Sequence, residues 1–135
     1  MGRPRAVGQR QTRAALASDA MAERLSPNSV ADLLESGSAQ VIDVREDHEH
    51  EAGHIAGDRH ITLPLLTDEA SSLDRERVVV AYCRTGSRAE VAADALRASG
   101  YDAYNLEGGF VAWLEQDLPA EPENAEAARQ SPFIN

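Results

Sequence analysis

The sequence predicts an α/β fold: a central, mostly parallel sheet with helices on both faces. Three observations carry this. Short β-branched runs alternate with helical patterns along the chain, the order expected of a parallel sheet. The clearest run, Val78 to Tyr82, is continuously apolar, as suits a strand covered on both faces. Cys83 follows that strand directly and precedes a helix, at the strand end where such sheets bind ligands.

The elements follow in order. Ser26 and Pro27 make a helix start, serine as N-cap and proline at the first helical position. Val30, Leu33 and Leu34 then form an apolar stripe, and Gly37 ends it. Gln40 to Val44 reads as a short buried strand that runs into charge at Asp43 and Arg45. Residues 46–60 are polar and rich in glycine and histidine, so they read as loop with one helical turn. Leu63 to Leu66 is apolar but interrupted by Pro64. After Val78 to Tyr82 comes a helix over Ser87 to Ala98, with Val91, Ala92, Ala95 and Leu96 on one side and Gly100 at its end. Ala103 to Leu106 is another strand. Phe110, Val111, Trp113 and Leu114 give the apolar face of a last helix after Gly108 and Gly109. One domain is expected over residues 22–119, between flexible tails at 1–21 and 120–135. The second tail has two prolines, several glutamates and no large apolar side chain before Phe133.

Composition narrows the function. A chain of 135 residues fits one domain with a real core. Cys83 is the single cysteine, which excludes an internal disulfide and a site built from several thiolates. A lone thiol fits a reducing compartment, and a cytoplasmic location is expected. The formal charge of −10 argues against nucleic acid or an anionic membrane as partner. All 13 basic residues are arginine, so lysine Schiff-base chemistry is excluded. No apolar run approaches the roughly 20 residues of a spanning helix. The arginines at 3, 5, 10 and 13 are not followed by the apolar stretch of a secretory signal.

The chemistry is expected in the loop Cys83-Arg84-Thr85-Gly86-Ser87-Arg88. Backbone N–H groups at a helix start lack partners within the helix, and a tight loop can turn several towards one point. Gly86 permits the backbone angles of such a turn. Thr85 and Ser87 offer hydroxyl donors or a helix cap, and Arg84 and Arg88 add positive charge. Such surroundings favour the thiolate, the form that attacks, and would hold an anionic substrate or a charged sulfur on the cysteine.

Four blocks extend this local reading. Val41-Ile42-Asp43-Val44-Arg45-Glu46 comes first, then Glu51-Ala52-Gly53-His54-Ile55-Ala56-Gly57. Val80-Ala81-Tyr82-Cys83-Arg84-Thr85-Gly86-Ser87-Arg88 follows, then Asn105-Leu106-Glu107-Gly108-Gly109-Phe110-Val111-Ala112-Trp113 with Leu118-Pro119. In this order, from about residue 23 to 119, they resemble the rhodanese homology domain. His50 stands where an aromatic such as tyrosine is usual, Ala56 where proline is common, and Asp117 where glycine is common. None of these departures touches the cysteine loop. The resemblance implies a sulfurtransferase in which Cys83 takes the outer sulfur of thiosulfate or a similar donor as a persulfide. A thiol, cyanide or a sulfur-accepting protein would then remove it, which is two-step covalent catalysis. Arg84 and Arg88 would attract the anionic donor. Asp43 and Arg45 would support the loop through charged hydrogen bonds, or else form an ordinary surface ion pair. No cofactor and no metal is expected.

Other readings compete. A sulfur relay that hands the persulfide to a partner protein uses the same residues, so the sequence does not separate it from small-molecule catalysis. Many rhodanese-like domains lack the cysteine and serve as regulatory or docking units, and Cys83 argues against that role here. Phosphatases of the Cdc25 type and arsenate reductases use a similar loop, with one residue more between Cys and Arg than the four found here. The smaller ring suits a terminal sulfur better than a phosphoryl group, whose oxygens all need donors. The stretch from His50 to His60 also matches the zinc-protease pattern H-E-x-x-H-x-x-G-x-x-H, with Glu51 as base and His50, His54 and His60 as ligands. Gly53 interrupts the helix that such a site needs, and no methionine lies downstream. The match is read as chance.

Overall fold

The computed structural model describes residues 23–131, so the tail expected over 1–21 lies outside the described residues. The elements are β1 (Arg24–Leu25), α1 (Pro27–Glu35), β2 (Ala39–Asp43), α2 (Asp47–Ala52), β3 (His54–Ile55), β4 (Arg59–His60), α3 (Leu66–Glu69), β5 (Val78–Tyr82), α4 (Ser87–Ala98), β6 (Ala103–Leu106), α5 (Gly109–Glu115) and β7 (Ala120–Glu121). Five strands form one sheet in the order β1-β6-β5-β2-β4, every neighbouring pair parallel. The central strand β5 pairs with β2 from Ala39↔Val78 to Asp43↔Tyr82. Its other edge pairs with β6.

Alternation along β5 sends successive side chains to opposite faces. Val78, Val80 and Tyr82 pack with Leu33 of α1 and Phe110 and Trp113 of α5. Val79, Ala81 and Cys83 pack with Ala89, Ala92 and Leu96 of α4. Both faces are covered, which is why β5 is apolar throughout. The buried face of α4 differs from expectation: Val91 is 58% exposed and Ala95 is exposed too. Ala89, Ala92, Ala93 and Leu96 lie inside, at the spacing i, i+3, i+4, i+7. Three alanines let the helix lie close to the sheet, where the bulk of Val91 would not fit.

Residues 46–60 hold more order than expected. Glu46 and Glu49 form a reciprocal capping box that starts α2. Glutamate is an unusual N-cap, so the helix start carries no familiar signal. The segment expected as a flexible tail from residue 120 has defined partners as far as Ser131. β7 pairs antiparallel with β3. Glu126 donates its N–H to the Ala52 carbonyl, and Ser131 to the Glu46 carboxylate. The Arg129 carbonyl sits 2.8 Å from His48 Nε2. Gly53 makes room: a Cβ there would stand 2.6 Å from the Glu126 nitrogen. Most of these contacts use the backbone of the segment, so its polar composition did not announce them. Among the described residues, no helix is long and apolar enough to cross a membrane.

Candidate active site

Cys83 sits where β5 gives way to α4. Its Sγ accepts hydrogen bonds from the backbone N–H of Gly86 at 3.0 Å and of Ala89 at 3.4 Å. Gly86 takes φ +129°, a backbone state that favours glycine, and is the N-cap of α4. Ser87 is therefore the first helical residue and not the cap. Both Thr85 and Ser87 are exposed. Asn105 Nδ2 donates to the Gly86 carbonyl at 3.0 Å and steadies the turn from β6.

The loop is also held from behind. The first amides of α5 lack helical partners and donate instead to the loop: Phe110 N–H to the Cys83 carbonyl at 2.8 Å and Val111 N–H to the Arg84 carbonyl at 3.1 Å. Gly109 makes that approach possible. A Cβ there would meet the Cys83 carbonyl oxygen at 2.6 Å and that of Arg84 closer still. The sequence placed Gly109 and Asn105 in a motif without a role. Their pairing with the loop joins residues about 20 positions apart, which spacing alone does not reveal.

Neither arginine stands free over the sulfur. Arg88 makes a two-pronged pair with Glu49, at 2.7 and 2.9 Å. Glu49 is fully buried. Burial pushes its carboxyl up, but the Arg88 hydrogen bonds, the Glu46 N–H and the Arg88 charge outweigh this and hold it below the usual carboxylate range. Arg84 donates Nε–H to the Ala127 carbonyl at 3.0 Å and has no carboxylate partner among the described residues. Glu49 was missed because its stretch read as loop. Two hollows flank the loop. One of about 580 Å3 is lined by Val44, Glu46, Leu63, Pro64, Arg88 and Gln130. The other, about 420 Å3, is lined by Thr85, Gly86, Ser87, Asn105 and Glu107.

Asp43 and Arg45 are not a surface pair: both are fully buried. Arg45 donates Nε–H and an Nη–H to the two carboxylate oxygens of Asp43 at 2.8 and 2.7 Å. Burial raises the Asp43 carboxyl, and the bonds and charge of Arg45 together with His50 bring it net below its ordinary value. The guanidinium also donates to the Gly53 carbonyl and lies 4.8 Å from the centre of the Phe110 ring. The described bonds thus tie β2 to α2 and Gly53, where the expectation had them reach the cysteine loop. Their link to the loop is indirect, through α2 and Glu49.

The histidine stretch does not fold as a protease site. α2 ends at Ala52, so His50 lies on the helix and His54 on β3. His50 is sandwiched between the other two rings, 3.9 Å from His54 and 4.2 Å from His60. His60 Nε2 sits 2.8 Å from the Arg45 carbonyl, and Glu51 is exposed.

Known proteins share this arrangement of chain. Residues 26–116 match the Rhodanese-like domain family. A thiosulfate sulfurtransferase, GlpE of Pseudomonas aeruginosa, is 35% identical over 106 residues, which cover 78% of this chain and 94% of that protein. The probable adenylyltransferase/sulfurtransferase MoeZ of Mycobacterium tuberculosis is 36% identical over 99 residues, 70% of this chain but 25% of that longer protein. The crystal structure of a rhodanese-related protein from Thermoplasma volcanium superposes with a TM-score of 0.67 at 26% identity, covering 72% of this chain and 95% of that one. A match over most of the chain, with the sheet order and the strand-to-helix cysteine turn described above, places this protein in the rhodanese-like domain family, which includes sulfurtransferases.

Proposed function

We propose that the protein moves a sulfane sulfur from thiosulfate or a similar small anionic donor to a nucleophilic acceptor, through a persulfide on Cys83. One observation carries the reading: two backbone N–H groups converge on Cys83 Sγ at the start of α4. Donors fixed in this way stabilise negative charge on Sγ, in the attacking thiolate and again when it leaves. The Cys83 thiolate attacks the outer sulfur of thiosulfate. A bond forms between Sγ and that sulfur, the S–S bond of thiosulfate breaks, and its electron pair leaves with sulfite. Cyanide or a thiolate then attacks the outer sulfur of the persulfide. Sγ leaves as a thiolate and falls back on the N–H groups of Gly86 and Ala89.

The roles of the neighbours follow from their partners. Arg84 lacks a carboxylate among the described residues, so its charge is the one available to draw an anion to the loop. The charge of Arg88 is balanced by Glu49, which suits it to hold α4 against α2. Asp43 and Arg45 act at one remove, by fixing α2. The four residues between Cys83 and Arg88 leave a small ring, fitted to a single sulfur atom. Likeness to GlpE supports thiosulfate as donor.

The test is direct. Incubation with thiosulfate adds the mass of one sulfur atom to the intact protein, and cyanide removes it. Cys83→Ser abolishes the addition. A wild-type thiol that reacts with alkylating agents yet takes up no sulfur from thiosulfate sinks the proposal.

A further inference from the structure

One cluster of ligand-type side chains lies apart from the cysteine loop. His50 on α2, His54 on β3 and Asp58 in the turn before β4 bring one donor atom each within 4.8 Å of one another. They gather on the Tyr82 face of β5, whereas Cys83 belongs to the opposite face. Two donors at about 2.1 Å from a tetrahedral ion stand about 3.4 Å apart, so the atoms draw together by up to about 1.4 Å to share one.

The surroundings prepare these groups as ligands. His50 Nδ1 lies 2.9 Å from an Asp43 carboxylate oxygen, within reach to donate to it. With Nδ1 as donor the lone pair is on Nε2, while Nδ1 is the atom 3.8 Å from the Asp58 carboxylate. The His50 carbonyl sits 2.9 Å from His54 Nδ1 and imposes the same tautomer there. A ring nitrogen donating to a carboxylate or carbonyl while the other faces a metal is the usual outer support of ligating histidines. Asp58 is almost enclosed, with a side chain 4% exposed, and the Tyr82 hydroxyl donates to it. Glu121 on β7 places a carboxylate oxygen 3.5 Å from His54 Nε2, a separation that suits two ligands of one tetrahedral ion. Among the described residues, Asp43, Asp58 and Glu121 outnumber the cation paired with them, Arg45.

We propose that His50, His54 and Asp58, with Glu121 closing the fourth side, form a binding site for a divalent transition-metal ion of the zinc class. Two imidazoles and carboxylate oxygens suit a borderline ion better than calcium or magnesium. The rings of His50 and His54 stack 12° from parallel, so their in-plane lone pairs diverge from a common point. Binding turns the His54 ring out of the stack. Its side chain is 21% exposed, so the turn is open to it. His60 stays outside, with Nε2 at the Arg45 carbonyl. The site is independent of the sulfur chemistry and needs no free thiol.

The experiment titrates zinc into the full chain after treatment with a chelator, and repeats it with cobalt to read the ligand set from its absorption. One equivalent of zinc binds to wild type and to Cys83→Ser. His54→Ala and Asp58→Asn each weaken binding by roughly tenfold or more, since each removes a ligand. His54→Gln and Glu121→Gln provide milder variants should either of these fail to fold, as circular dichroism will report. His48→Ala, a histidine outside the cluster, leaves affinity unchanged. The proposal is overturned by absence of stoichiometric zinc, by equal loss in His48→Ala, or by undiminished binding in folded His54 and Asp58 variants. A thiolate-to-cobalt band that vanishes in Cys83→Ser also overturns it, because the ion would then sit on the cysteine.

Discussion

At the scale of single residues, Glu49 is the hidden support of the site. It is fully buried, it closes the capping box of α2, and it holds Arg88 with both carboxylate oxygens. Glu49→Gln keeps the shape but loses the charge opposite Arg88. It is expected to cost on the order of 2–4 kcal/mol in urea unfolding, because Arg88 is left largely enclosed without its counter-ion. The pH dependence has a definite sign. The folded carboxyl lies below its unfolded value of about 4.3. Its contribution is therefore complete above that value and drains away as pH falls through the lower folded value. Unfolding titrations should show wild type losing stability below about pH 4 more steeply than Glu49→Gln. Equal slopes would show that the pair does not drive the acid response. Gly109 is a second such residue. Gly109→Ala should push α5 off the Cys83 and Arg84 carbonyls and cost about 3 kcal/mol or more, with loss of sulfur uptake. Uptake at the wild-type rate by a folded variant would show that this approach is dispensable.

At the scale of elements, three helices end in the same hydrogen-bonded turn. After α1, Gly37 N–H bonds the Leu34 carbonyl and Ser38 N–H the Leu33 carbonyl. After α4, Gly100 and Tyr101 repeat the pattern on Arg97 and Leu96. After α5 the pattern recurs on Leu114 and Trp113, but the left-handed position is Asp117, at φ +58°. Glycine adopts that state without the steric cost that a Cβ brings. Asp117→Gly should stabilise the protein by about 0.5–1 kcal/mol and raise the melting midpoint by a few degrees. An unchanged or lower midpoint would mean that the aspartate side chain offsets its own strain. These ends also show what the sequence could reveal. β5 was legible to the residue as a continuous β-branched run, α4 as a long helical pattern ended by glycine, and β6 as a short run between Gly100 and Gly108. The two-residue strands β1, β3, β4 and β7 were not, since pairing with a distant partner creates them, and two side chains hold no period. The turn from Cys83 to Arg88 was legible as a candidate because it is one contiguous stretch. Glu49, Asn105 and the α5 amides were not, because only the fold brings them to the loop.

At the scale of the whole molecule, the chain returns past its own candidate site. Residues 120–131 run along β3 and α2, and the Ala127 carbonyl accepts from Arg84. Removal of residues 120–135 should lower stability by about 1–3 kcal/mol, through lost backbone hydrogen bonds. It should also release the Arg84 side chain and speed alkylation of Cys83, which is 1% exposed in the intact chain. An unaltered alkylation rate would separate the segment from the site. The clamp on the loop has a further consequence, in time instead of space. A ribosome delivers Cys83 before it delivers Phe110 and Val111, whose amides fix the loop. Strand β1, made earlier still, waits for β6 before it has a neighbour. Until the last helix arrives the loop therefore lacks its outer clamp, and a chain that stops short of Gly109 carries Cys83, Gly86 and Ala89 without it.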